Sequence, residues 1–368
     1  MMVFSDQRDV KALVYGAAFY GGGGGGSIEE GLRLAMLAIE LGGRVEVKEP
    51  DEVPGSLTLI TVSGVGAPAA REQYLKPVHL IRAVELLRST GVEIGGIIPS
   101  EVGAFNGING WLQSVVLKVP FVDIPCDGRA HPTGLMGSMG LHRIKGYVSI
   151  QAAAGGDPAK RRYIEVVVRG SIQRASAIIR RVAVEAGGLV AVARNPVSAD
   201  HAKRNGAPGA LAQAYKVGQA ILRGIESGDH REACYRAFEE ASGEVLGECV
   251  VEETSLETRE GFDIGDVRLA CEGSAYKVRF FNEYMSIEHD GRYVALFPDL
   301  IVVMDMATGF PLTSADLLGA RNRKVLLGYV HRSRLLLGKG LYYPEAYEPL
   351  EKALGIEFRK MLSDMLLE

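Results

Sequence analysis

Long apolar runs are missing from this chain. No stretch reaches the length that a membrane-spanning helix needs, and the opening MMVFSDQRDV carries no signal-peptide pattern. Extended basic tracts are missing too. With 41 Lys and Arg against 45 Asp and Glu, the formal net charge is −4, which argues against nucleic acid and anionic membrane as partners. Cysteine is scarce. Cys126, Cys234, Cys249 and Cys271 are scattered with no CxxC pair, so neither a zinc ribbon nor a disulfide framework is expected, and the last three are assigned to packing. Tryptophan is reduced to Trp111 alone. A cytoplasmic location is expected, with no cofactor and no bound metal.

Glycine is abundant, at 46 residues. Hydrophobic content of 47% and charged content of 23% suit a soluble globular protein with a sizeable core, and 368 residues suggest two domains. Residues 5–20 read as a helix with Val10, Leu13, Val14, Ala17 and Ala18 on one face. Six glycines follow, at 21–26. Ser27 and Glu30 then form a capping-box pattern before the apolar helix 32–41. Glycines at a helix N-terminus permit close approach of a ligand and can form an anion-binding nest, so Gly22, Gly23, Gly24, Gly25 and Gly26 are expected to face a substrate. The run lacks the lysine of a P-loop, and nucleotide binding is weakly supported.

Beyond it, strands at 45–47 and 57–62, a helix at 77–87, a strand at 95–99 and a helix at 112–117 alternate. Three polar loops fall at strand ends: 63–68, 101–107 and 123–134. In an α/β sheet these would meet at one edge. The densest loop lies in VPFVDIPCDGRAHPTGLMGSMGLH, at 119–142, where Asp123, Cys126, Asp127, Arg129, His131 and Thr133 crowd together among Pro and Gly. Strand-like segments at 148–152, 163–168 and 189–193 and helices at 170–186 and 209–226 come next, with Ile178 among the inward residues of the first helix. From about 249 the chain reads as consecutive strands, with a hairpin turn at Asp290-Gly291.

Several stretches together resemble one family: GGGGGGS near the start, PSEVGAFNG at 99–107, VDIPCDGRAHP at 122–132 and FNEYMSIEHDGRYVALFPDLIVVMDMATGFPL at 281–312. They are similar to the S-methyl-thiohydantoin desulfurases, also found with hydantoinase and 5-oxoprolinase-like proteins. The resemblance spans nearly the whole chain. It implies an α/β N-terminal domain and a C-terminal α/β domain with a β-rich swivelling lobe, here expected at 1–165 and 166–368. It also implies water addition to a cyclic amide-like carbon of a small hydantoin or S-methyl-thiohydantoin. A non-catalytic partner subunit of a hydantoinase-type enzyme is the alternative. The expected partners are a small-molecule substrate and either a second copy or a hydantoinase-type protein. Around the GRA core, Cys126-Asp127 and His131-Pro-Thr-Gly depart from the family's common pattern, which leaves the substrate open.

Asp123 and Asp127 suit a base and an orienting carboxylate, although Asp123 equally suits a loop cap. Cys126 suits a nucleophile if a positive neighbour lowers its pKa, and equally a small buried hydrophobe. His131 suits proton transfer near neutral pH, and Glu101 is a carboxylate placed directly after a strand. Asp127 is favoured over Cys126 as the group that acts on water. Arg129 suits a substrate carboxylate, or a salt bridge with Glu101. Asn106 and Thr133 are further binding candidates. Asn282 and Glu283, costly to bury unpartnered, complete the site from the second domain or satisfy a turn. Glu101, Asn106, Asp127, Arg129 and His131 are expected to line one cleft with the glycine run.

Overall fold

Two sheets with a layer of helices between them build the molecule, seen in a computed structural model that describes every residue except Pro68 and Glu368. Pro68, the last residue of the loop expected at 63–68, therefore lies outside the described residues. The first sheet contains β1 (Met2–Phe4), β2 (Val45–Lys48), β3 (Thr58–Gly66), β4 (Gly96–Pro99), β5 (Phe121–Val122), β6 (Ser149–Gly155), β7 (Ile164–Gly170) and β8 (Leu189–Ser198). Its order is β1-β2-β5-β4-β3-β8-β6-β7. Strands β2, β5, β4 and β3 run parallel, and β8, β6 and β7 continue the sheet antiparallel. The sheet thus extends past residue 165, to Ser198, because β8 pairs directly with β3.

Helices α1 (Gln7–Gly21), α2 (Ile28–Gly42), α3 (Pro77–Arg88) and α4 (Trp111–Leu117) cover one face, and α5 (Ile172–Glu185) lies on the other. The two-residue period of the strands sorts the side chains. Ala191 and Ala193 join the large core with α1 and α3, while Val190 and Val192 pack with Ile179 and Ala183 of α5. Ile178, expected to face inward, is exposed on α5. Beyond β8 come α6 (Ala199–Asn205), α7 (Ala210–Glu226) and α8 (His230–Glu240).

The second sheet comprises β9 (Glu244–Arg259), β10 (Phe262–Cys271), β11 (Ser274–Phe281), β12 (Glu283–His289), β13 (Arg292–Leu296), β14 (Leu300–Asp305) and β15 (Lys324–Val330), all antiparallel, in the order β13-β12-β11-β10-β9-β15-β14. Leu300, Val302 and Met304 of β14 pack into the core of α1, α7 and α8, whereas Ile301 and Val303 face the second sheet's own core. Strand β9 begins before the expected 249, and its outer half, EETSLETR, is polar and largely solvent-facing. Residues 276–288 do not form one strand: Asn282, at a positive φ of 62°, separates β11 from β12. Cys249 and Cys271 are a disulfide, not independent packing residues. They are register partners across β9 and β10, a pairing that a 22-residue separation hides.

Helices α1 and α7 cross at two glycines. A Cβ on Gly16 would sit 1.7 Å from the Ala214 carbonyl oxygen, and one on Gly218 would sit 1.5 Å from that of Ala12. The backbones therefore touch, and this fixes the helix layer on which both sheets rest. No described helix is long and apolar enough to cross a membrane.

Candidate active site

A cleft of about 610 Å³ opens where the ends of β3, β4 and β5 meet the second sheet. The strand β4 ends at Ser100-Glu101, both buried. Asn106 holds Glu101 in place: its Nδ2 donates to Glu101 Oε1 at 2.6 Å, while its Oδ1 accepts from the Gly64 amide at 2.8 Å. The other carboxylate oxygen accepts from the His131 amide at 3.1 Å and lies 3.5 Å from His131 Nε2. Asn106 is thus a positioning residue for Glu101.

Glu283 enters from the second sheet. Asn282 sets its direction: Asn282 exchanges hydrogen bonds with Asp263, its amide donating to the carbonyl and its Oδ1 accepting from the amide. Thr133 and Gly134 complete the wall, and Lys76, Gln73 and Tyr74 form the rim.

Two arginines that sequence reasoning did not single out line this cleft. Arg180 of α5 donates to the carbonyls of Gly66, Gly261 and Pro132 and stacks over Phe262, joining three segments around the opening. Arg194 of β8 is 5% exposed, and its Nε is buried without a hydrogen-bond partner. An unpaired nitrogen on a buried guanidinium is costly, and this one lines a cavity. Nearby, Ser63 Oγ, Ser100 Oγ, both His131 ring nitrogens and Glu283 Oε2 are also buried without protein partners.

Burial sets the proton affinities. Desolvation pushes Glu101 up to about 7 against the pull of Asn106. Glu283 is driven well above the ordinary carboxylate range, first by desolvation and then by the charge of Glu101. Desolvation, reinforced by Arg194, lowers His131 to about 3, so its imidazole is neutral. The cleft therefore holds a neutral imidazole, one carboxyl poised near neutrality and one carboxyl that keeps its proton.

Of the expected residues, Glu101, His131, Asn106, Thr133, Asn282, Glu283, Gly25 and Gly26 border the cleft. The others do not. Asp123 caps α7, its two oxygens accepting from the amides of Leu211 at 2.9 Å and Ala212 at 3.1 Å. Cys126 points into an apolar cluster, touches Thr61 Oγ1 at 3.2 Å and has its thiol pushed up to about 12 by burial. Asp127 is buried behind the cleft, where it accepts from the Gly338 amide at 3.2 Å. Arg129 fastens the second sheet to the first: it donates to the carbonyls of Pro298 and Asp299, and stacks on Phe297 at 4.4 Å. It does not bridge to Glu101.

The glycine run is mainly a packing junction. A Cβ on Gly23 would strike the Tyr284 ring, and one on Gly24 would meet the Glu283 carboxylate at 2.1 Å. Gly25 lies backbone to backbone against Gly103, and its carbonyl accepts from the amides of Phe105 and Asn106. The amides of Gly22 and Gly24 are already donated to Phe19 and Gly21. The run thus lets PSEVGAFNG and the start of β12 close around the cleft. Of the two arginines the sequence did not reveal, Arg194 had one visible signal: a charge embedded in the apolar stretch LVAVAR.

Two adjoining family models match this chain. One describes the S-Me-THD-like N-terminal domain and matches residues 8–159; the other describes the S-Me-THD-like C-terminal domain and matches 170–328. The chain belongs to the S-Me-THD-like family. The resemblance to S-methyl-thiohydantoin desulfurases is thereby borne out at the level of the family. No curated protein matches the chain. Among solved structures, a protein from Chromobacterium violaceum has a similar fold, with a TM-score of 0.71 and 20% identity over 96% of this chain and 97% of that one. At that identity the likeness is one of fold.

Proposed function

We propose that this S-Me-THD-like protein is a hydrolase that adds water to the ring carbon of a small, negatively charged S-methyl-thiohydantoin or related cyclic amide. Arg194, whose buried Nε has no partner, lines the cleft with Glu101 and His131 and carries this reading, since it calls for an anionic group in a site that already holds acid and base. Arg194 takes the role of substrate anchor that the sequence had suggested for Arg129.

In this scheme the ionised Glu101 removes a proton from water, and the oxygen adds to the C=N carbon that carries sulfur. Protonated Glu283 delivers its proton to the ring nitrogen. The C–S bond then breaks as the new hydroxyl becomes a carbonyl, returning its proton to Glu283, while Glu101 protonates the departing methanethiolate. One water is consumed, and hydantoin and methanethiol leave. The neutral His131 donates or accepts a hydrogen bond at the reacting water without changing charge.

The test is release of thiol from S-methyl-thiohydantoins with and without a carboxylate substituent, using the full chain. The carboxylate-bearing substrate should turn over, and Arg194→Met should raise KM about a hundredfold through loss of a charge-assisted contact. Glu283→Gln should instead lower kcat by about a hundredfold or more. Substrate binding that raises the melting temperature without any thiol release would favour a non-catalytic binding subunit.

A further inference from the structure

We propose that the protein forms a two-fold symmetric dimer by antiparallel pairing of β7 with its copy, centred on Val167. Strand β7 is the end of the first sheet and has a ladder neighbour on one side only, β6. Open edges are normally blunted by proline, a bulge, shortness, charged side chains or a covering element. This one has no proline and no bulge: seven residues, IEVVVRG, in continuous register with β6, with Glu165 and Arg169 as its charges. The opposite edge, β1, is three residues long, and the edge strand β14 of the second sheet is fully buried. Val167 is 38% exposed, and Tyr163 just before the strand is 41% exposed.

The charge pattern selects the partner. Glu165 and Arg169 lie on the same face, two residues on either side of Val167. A two-fold axis at Val167 places each Glu165 directly opposite the Arg169 of the other copy, and Val166 opposite Val168. Moving the axis to Val166 sets Glu165 against Val167 and Arg169 against Tyr163. Moving it to Val168 sets Arg169 against Val167. Only the axis at Val167 pairs both charges, as an isologous interface requires. Arg169 spends one hydrogen bond on the Thr90 carbonyl, and Glu165 is held by Arg82 and Tyr163, so the two groups are already ordered at the edge. Pairing joins the two first sheets into one continuous sheet and leaves the clefts outside the interface.

The full-length chain should run as a dimer in size-exclusion chromatography with light scattering at micromolar concentration. Val167→Lys sets two ammonium groups against each other at the axis and should give a monomer with an unchanged circular dichroism spectrum. Arg169→Glu and Glu165→Arg should each weaken the dimer about tenfold or more, because each puts like charges opposite one another. Mixed together, these two variants should restore association as a heterodimer, since every cross-strand pair is again of opposite sign. A monomeric wild-type chain, a Val167→Lys variant that remains dimeric, or variants that fail to complement would each overturn the proposal.

Discussion

Replacing Glu101 with Gln removes the one carboxyl of the cleft whose proton affinity lies near neutrality. Folding raises it from its ordinary 4.5 to about 7, chiefly by desolvation. A raised carboxyl contributes stability that is fully present below 4.5 and is lost as pH rises through 7. Between pH 5 and pH 8 the wild type should therefore lose about 2–3 kcal/mol from this group alone. Glu101→Gln does not titrate, so it escapes that loss. It has its own constant cost, because one of its two ends is an amide facing either the Asn106 amide or the His131 amide; one lost buried hydrogen bond is worth about 1 kcal/mol. The variant should thus be slightly less stable than wild type at pH 5 and more stable at pH 8. For a chain of this length, about 2–3 kcal/mol corresponds to roughly 3 °C in melting temperature. Calorimetry of both proteins at the two pH values measures the difference of differences, from which the constant cost cancels. An identical offset at pH 5 and pH 8 would refute the idea that burial holds this carboxyl near neutrality.

Two further outcomes follow from the packing. Cys126→Ser should retain most activity, and iodoacetamide should leave Cys126 unlabelled in the folded protein, since the thiol is fully buried and pushed up to about 12; labelling with loss of turnover would restore it as a nucleophile. Gly218→Ala should destabilise the chain by about 3 kcal/mol or more, because the added methyl meets the Ala12 carbonyl where neither backbone can retreat; denaturant unfolding at constant m-value checks this.

The local layout of the site was legible because strand ends announce themselves. An apolar run that breaks at a carboxylate and glycines located Glu101 and Asn106, and the next such break located His131. The same rule over-reached at Asp123, Cys126, Asp127 and Arg129, since period and composition cannot tell which residues of a tight loop turn toward solvent and which turn back. Here Asp123 turns to the amides of α7, Asp127 to Gly338 and Arg129 to carbonyls of the second sheet, all supplied by segments far along the chain.

By itself, then, the sequence determined the alternation of elements, the family and the loops that border the cleft, because these depend on short-range periodicity and on motifs in register. The tertiary structure alone decided that Arg194 belongs to the site. Strand β8 returns antiparallel beside β3 and sets Arg194 opposite Thr61, and a break in register with Asn195 at positive φ follows at once. Only when those strands pair, and β12 arrives to present Glu283, does a charge in an apolar strand become the cation at the centre of the cleft.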